Sequence, residues 1–126
     1  MPDLVIDNLT KYYDQFKAVD NINLKVSDGE LITLLGPSGC GKTTTLRLIA
    51  GLEKPDKGKI LLGDEILSCS ETGKHKAPEK RGMGMVFQSY AVWPHMTVAK
   101  NVAYPLKNQK ISKIEKKIEW TRHLQW

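Results

Sequence analysis

Residues 31–51 read Leu31-Ile32-Thr33-Leu34-Leu35-Gly36-Pro37-Ser38-Gly39-Cys40-Gly41-Lys42-Thr43-Thr44-Thr45-Leu46-Arg47-Leu48-Ile49-Ala50-Gly51. Five nearly all-apolar residues run into a glycine-rich turn that cannot continue a strand, so residues 31–35 are expected to form a central strand buried on both faces. Helical character follows from Lys42 to Ala50, with Leu46, Ile49 and Ala50 on one face and Gly51 as the stop. The turn itself matches GxxxxGK[ST] from Gly36 to Thr43 without interruption. Glycines let successive main-chain N–H groups curl around an oxyanion, and a following helix aims its free N–H groups and positive dipole end at the same anion. Lys42 then reaches the β- and γ-phosphates as a mobile point charge, and the Thr43 hydroxyl suits Mg²⁺. Chance would place these four residue types at these offsets in roughly one chain of this length in 200. Cys40 occupies a free position of the motif and needs no redox role.

Outward from this loop, the chain reads as an alternation of short elements. Residues 4–6 and 22–26 are expected strands, and residues 60–62 and 65–67 a hairpin around Gly63-Asp64. Residues 68–81 read as a polar surface connection, residues 83–87 as another apolar strand, and residues 97–106 and 112 onward as helices. Ile60-Leu61-Leu62-Gly63-Asp64-Glu65 superficially copies the apolar run and acidic pair of a Walker B strand. The immediate return of Ile66-Leu67 favours a hairpin instead.

Composition limits the alternatives. The 126 residues make one domain at most, and 40% hydrophobic with 26% charged residues excludes a disordered chain. No apolar run approaches the roughly 20 residues of a membrane helix, and the N-terminus lacks the basic and apolar regions of a secretory signal. Cys40 and Cys69 make neither a disulfide framework nor a CxxC metal site. The expectation is a soluble cytoplasmic protein. The formal charge of +5 is concentrated in residues 74–81 (four positive, one negative) and 107–126 (six positive, two negative). Without aromatic-basic interleaving or zinc-finger spacing these segments read as solvated surface, with no nucleic-acid partner.

Residues 36–52, followed by Met85-Val86-Phe87-Gln88-Ser89-Tyr90-Ala91-Val92-Trp93-Pro94-His95-Met96-Thr97-Val98, resemble the ATPase subunit of an ATP-binding cassette (ABC) transporter. The likeness is greatest to importer ATPases for sugars, polyamines, ferric iron or phosphonates, and it covers about residues 3–110. It implies an α/β fold: a P-loop NTPase core, here incomplete, with an antiparallel β subdomain built from the N-terminal region and the 59–67 hairpin. The chain would be the N-terminal part of a nucleotide-binding domain whose C-terminal half is absent. That half should carry the LSGGQ-type signature, the true Walker B Asp, the catalytic Glu and the switch histidine.

Residue by residue, the resemblance makes Gly36, Pro37, Ser38, Gly39, Cys40, Gly41, Lys42, Thr43 and Thr44 the ATP phosphate loop, with Thr43 on Mg²⁺. Gln88 matches the Q-loop glutamine, which contacts Mg²⁺ and attacking water, so Lys42 and Gln88 are the catalytic candidates. An amide suits that task because it offers one acceptor and one donor group. Tyr13 falls where the family stacks an aromatic on adenine, although a one-residue slip would present Tyr12 instead. The apolar segment from Tyr90 to Met96 is expected to receive a helix of a transmembrane permease subunit, and a second ATPase subunit would complete a homodimer. Location would then be cytoplasmic, peripheral on the inner face of the membrane.

Two readings remain open: an ATPase half-domain coupled to import, or a nucleotide- or phosphate-binding module without turnover. A small-molecule kinase is disfavoured by the Gln88 segment. In the tail, Ile111, Ile114 and Ile118 share a helical face, while Trp120 and Leu124 project to the opposite side. The amphipathic pattern is therefore broken near residue 119.

Overall fold

A computed structural model describes residues 2–107. The basic tail and its expected helix lie outside the described residues. Strands β1 (Leu4–Tyr13) and β2 (Phe16–Val26) are followed by helix α1 (Lys42–Ala50). Strands β3 (Lys57–Leu62), β4 (Glu65–Cys69) and β5 (Lys74–His75), a 3₁₀ turn at Pro78–Lys80 and helix α2 (Val98–Lys107) complete the order. The five strands form one antiparallel sheet in the order β2-β1-β3-β4-β5. Residues up to Met85 form one compact unit, and residues from Val86 onward a second.

Strands β1 to β4 and helix α1 all contribute to the core. Ile6, Leu9, Val19, Ile60 and Leu67 are buried together with Leu48 of α1. Burying side chains of this size contributes about 1.5–3 kcal/mol each. The helix has the expected bounds, but its buried residues are Thr45 and Leu48, with Ile49 partly buried, while Leu46 is exposed. Gly51 ends it at φ +84, and the bonds Gly51 N→Leu48 O and Leu52 N→Arg47 O form a Schellman closure. The 60–67 hairpin is present, with Leu62 opposite Glu65 across a two-residue turn that opens at Gly63 with φ +57. Asp64 is therefore a turn residue.

Two expected strands are not formed. Residues 31–35 and 83–87 join no ladder. Leu31 is 91% exposed, Leu35 88% and Val86 96%. A strand exists through its paired neighbours, and among the described residues all ladder pairing is taken up by β1–β5. Apolarity marks both segments as strand material without supplying the partner.

Residues 68–81 are also misread as surface. Ser68 and Arg81 are buried, and residues 74–75 form β5. The Arg81 guanidinium donates through Nη1 to the carbonyls of Leu48 (3.1 Å) and Ile49 (2.8 Å), and through Nε to that of Lys76 (2.8 Å). Nη2 donates to Ser68 Oγ at 2.7 Å and to His75 Nδ1 at 3.3 Å. A guanidinium has donors only, so His75 Nδ1 is an acceptor and Nε2 carries the proton it gives to the Gly51 carbonyl at 3.1 Å. A fixed cation at the last carbonyls of α1 also meets the negative end of the helix dipole.

Arg81→Met should cost about 2–4 kcal/mol, because several buried carbonyls lose their donor, and urea unfolding of the purified chain measures it. Burial, opposed by the Gly51 hydrogen bond and aided by the Arg81 and Lys54 charges, holds the His75 imidazole below its ordinary proton affinity. The unfolded chain therefore binds that proton more tightly, and stability should fall as pH drops below about 6.5, until the folded imidazole also titrates. His75→Gln should flatten the dependence between about pH 7 and 5 in the same unfolding experiment.

Candidate nucleotide-binding loop

Between β2 and α1 the glycine-rich turn is shaped by contacts that only glycine permits. Gly41, at φ +95, is the N-cap of α1, and a Cβ there would collide with the Ala18 carbonyl on β2. A Cβ on Gly36 would stand 2.5 Å from Cys40 Sγ. Gly39 also has positive φ (+80), yet open space surrounds it. The loop thus lies backbone-to-backbone on β2 at Gly41, while Gly39 serves conformation alone.

Lys42 folds back over this turn. Its Nζ donates to the carbonyls of Gly36 at 2.6 Å and Pro37 at 2.8 Å, and stands 3.4 Å from Cys40 Sγ. An ammonium has three donors, and all three are engaged within the turn, so a ligand oxygen would have to displace one of these contacts. Gly41 has no side chain to cap α1, and the first turn holds no acidic residue. The helix's leading N–H groups and dipole thus have no competing side-chain anion. Thr45 turns inward, its Oγ1 donating to the Gly41 carbonyl at 2.9 Å, whereas Thr43 is exposed at the loop mouth. Three features fit a polyphosphate: a glycine-rich turn seated against β2, a cation on its rim and an uncapped helix start.

Tyr13 ends β1 opposite Phe16, where Asp14 turns the chain at φ +52. Its exposed ring has Lys11 Nζ 5.6 Å from the centroid. Phe16 lies two residues from Ala18, a rise of about 7 Å along β2, so the hairpin end and the phosphate loop share one region. Tyr12 instead lines a cleft with Thr10, Lys17 and Asp20, and its N–H is taken by Asp56 Oδ2 at 2.7 Å. Gln88 is exposed and belongs to the second unit, as do residues 90–96. Cys40 and Cys69 are both free thiols.

Sequence reasoning missed Asn101. Its side chain bonds the backbone of Trp93, Met96 and Thr97 in the second unit. Thr97 is the one local signal there: it caps α2, its Oγ1 accepting from Lys100 N–H at 3.3 Å.

A turn of this kind, leading into a helix whose first residue is the lysine, defines a P-loop nucleotide-binding protein. The family model described as "ABC transporter" matches residues 19–125. The chain belongs to that family, whose ATPases bind ATP. It is 52% identical over 105 residues to a trehalose/maltose import ATP-binding protein of Thermococcus litoralis, covering 83% of this chain and 28% of that protein. It is 54% identical over 112 residues to a spermidine/putrescine import ATP-binding protein of Marinobacter nauticus, covering 89% and 28%. An Fe(3+) ions import ATP-binding protein of Escherichia coli O157:H7 is 48% identical over 110 residues, covering 87% and 30%. The chain therefore spans less than a third of the length of these relatives. Among solved structures, a dimeric bacterial ABC transporter cassette matches at TM-score 0.74 with 30% identity, over 91% of this chain and 53% of that one. A cassette in a post-hydrolysis state, bound to ADP and Pi, matches at TM-score 0.75 with 29% identity, over 94% and 54%.

Gly41→Ala should destabilise the chain by about 2 kcal/mol or more, through positive φ and the Ala18 collision together. Gly39→Ala carries only the conformational strain, about 1 kcal/mol. Thermal unfolding of the two variants side by side checks the ordering.

Proposed function

We propose that this chain is the nucleotide-binding part of an importer ATPase: it grips ATP at residues 36–44, and the longer protein hydrolyses it to drive solute uptake. The single observation that carries the reading is Lys42 drawn over the Gly36 and Pro37 carbonyls at the uncapped start of α1. The relatives' names as import ATP-binding proteins support it.

In this reading the main-chain N–H groups of Gly39, Gly41, Lys42, Thr43 and Thr44 ring the β-phosphate, while that of Cys40 bonds the Pro37 carbonyl at 3.3 Å. Lys42 swings from the loop carbonyls to the phosphate oxygens. Tyr13 stacks on adenine, which a tyrosine face does at about 1–3 kcal/mol per base. Thr43, with Gln88, would hold Mg²⁺, which offsets phosphate charge when bound. Gly36 and Pro37 add close backbone approach, and Ser38 the outer rim.

We assign turnover to the general base that the resemblance places in a part of the family domain these 126 residues do not match. The polypeptide of 126 residues then acts as a binding module. Its partners would be permease subunits, docking at residues 90–96, and a second ATPase subunit. No helix among the described residues is long and apolar enough to cross a membrane; the proposed location, peripheral on the cytoplasmic face of the membrane, rests on the relatives' names as import ATP-binding proteins. The transported solute is left to the membrane partners.

Titration with a fluorescent ATP analogue should give saturable binding, and Lys42→Ala should weaken it at least about 100-fold, the scale of a lost charge-assisted contact pair. Unchanged affinity in that variant overturns the assignment. Mg²⁺-dependent hydrolysis by the purified 126-residue chain would overturn the division between binding and turnover.

A further inference from the structure

We infer that Asn101 is the positioning residue of the surface formed by residues 90–96, presetting it for an apolar helix of a permease subunit. This rests on the docking reading above and names the side chain that gives the surface its shape. Asn101 lies in the first turns of α2, and its Oδ1 accepts the Trp93 N–H at 2.8 Å. Its Nδ2 faces the carbonyls of Trp93 at 3.2 Å, Met96 at 3.2 Å and Thr97 at 3.1 Å. The amide's orientation follows from its partners, one N–H on the oxygen side and three carbonyls on the nitrogen side. The side chain thus pairs with both polar groups of the Trp93 main chain, as a neighbouring strand would.

What it holds is a strained, apolar loop. Tyr90 (φ +61) and Ala91 (φ +48) are consecutive non-glycine residues in the left-handed region, a conformation that persists only where surrounding contacts enforce it. Tyr90, Val92 and Trp93 are exposed. The Trp93 ring packs on Tyr104 of α2, centroids 5.4 Å apart, and meets His95 edge-on at 5.9 Å. Loop and helix together wall a groove of about 280 Å³. Val102, Tyr104 and Pro105 form the α2 side, and among the described residues no charged side chain lines it.

That lining selects the occupant. An uncharged aromatic groove suits the apolar face of an amphipathic helix and offers nothing to phosphates or lipid headgroups. Pro105, inside α2, has no N–H to give the Asn101 carbonyl four residues back. A loop already fixed by Asn101 has less freedom to lose on docking, and that saving appears as affinity.

The chain labelled with 5-fluorotryptophan gives separate ¹⁹F signals for Trp93, Trp120 and Trp126, and Trp93→Phe identifies the first. Asn101→Asp is isosteric but removes the donors and sets a carboxylate against carbonyls. The Trp93 signal is expected to move, and its H₂O/D₂O shift to approach that of free tryptophan, with the urea midpoint of the 1–85 unit unchanged. Asn101→Ala gives the same readout should the Asp variant fail to fold. In parallel, binding is measured to inside-out vesicles carrying the importer's permease subunits, against vesicles of the same lipid without them. Asn101→Asp should weaken it about 10-fold or more, and Trp93→Ala should abolish it. An unmoved Trp93 signal in both Asn101 variants overturns the inference, as does a displaced Trp93 with undiminished vesicle binding. Vesicle binding that survives Trp93→Ala overturns the docking reading itself, and the inference with it; the Trp93 signal still moving in Asn101→Asp tells that failure apart.

Discussion

The Arg81 guanidinium, sunk between the last turn of α1 and strand β4, bonds the Leu48 and Ile49 carbonyls on one side and Ser68 and His75 on the other. No carboxylate faces it in these contacts, so its charge is met by carbonyl dipoles and the helix end. Such a group tolerates little displacement, because each donor that loses its partner leaves a buried polar atom unsatisfied. Among the described residues no buried side-chain nitrogen or oxygen lacks a partner. The helix that starts at the phosphate loop is therefore registered against the sheet from its far end.

Its near end is registered differently. Gly41 brings loop backbone onto β2 backbone at Ala18, an approach that any side chain would prevent. With Leu48 in the core between them, α1 is held at three points along nine residues. Main-chain N–H groups have no torsions of their own with which to adjust, so their placement in the turn depends on these anchors. Preorganisation is the contribution of the sheet to the site. Lys42, by contrast, needs mobility, and its long stem gives it that.

Much of this was legible in the residues. The conformation of the glycine-rich turn, the bounds of α1, the Gly51 stop and the Gly63-Asp64 turn all follow from local chemistry: glycine where φ is positive, and a lysine at the start of a periodic apolar run. What was not legible depends on contacts distant in sequence. Arg81 looked like one more charge in a basic run, and its burial is decided by carbonyls more than thirty residues earlier. The burial of Ser68, within a segment expected to be a polar surface connection, depends on the same distant contacts. Residues 31–35 and 83–87 carry the composition of central strands, but composition cannot supply a neighbour to pair with. Asn101 gave no signal because an asparagine early in a helix is ordinary. Only the loop folded back over it shows what its amide is for.

The proposed function requires the main-chain amides of Gly39 and residues 41–44 to be arranged so that they close on a polyphosphate. The most direct measurement is a ¹⁵N-resolved NMR titration of the chain with Mg²⁺-ATP, compared with inorganic triphosphate. The account predicts that the amides of Gly39, Gly41, Lys42, Thr43 and Thr44 shift downfield together in both titrations, while Tyr13 responds to ATP alone. Shifts absent from these amides and concentrated elsewhere on the chain would contradict it.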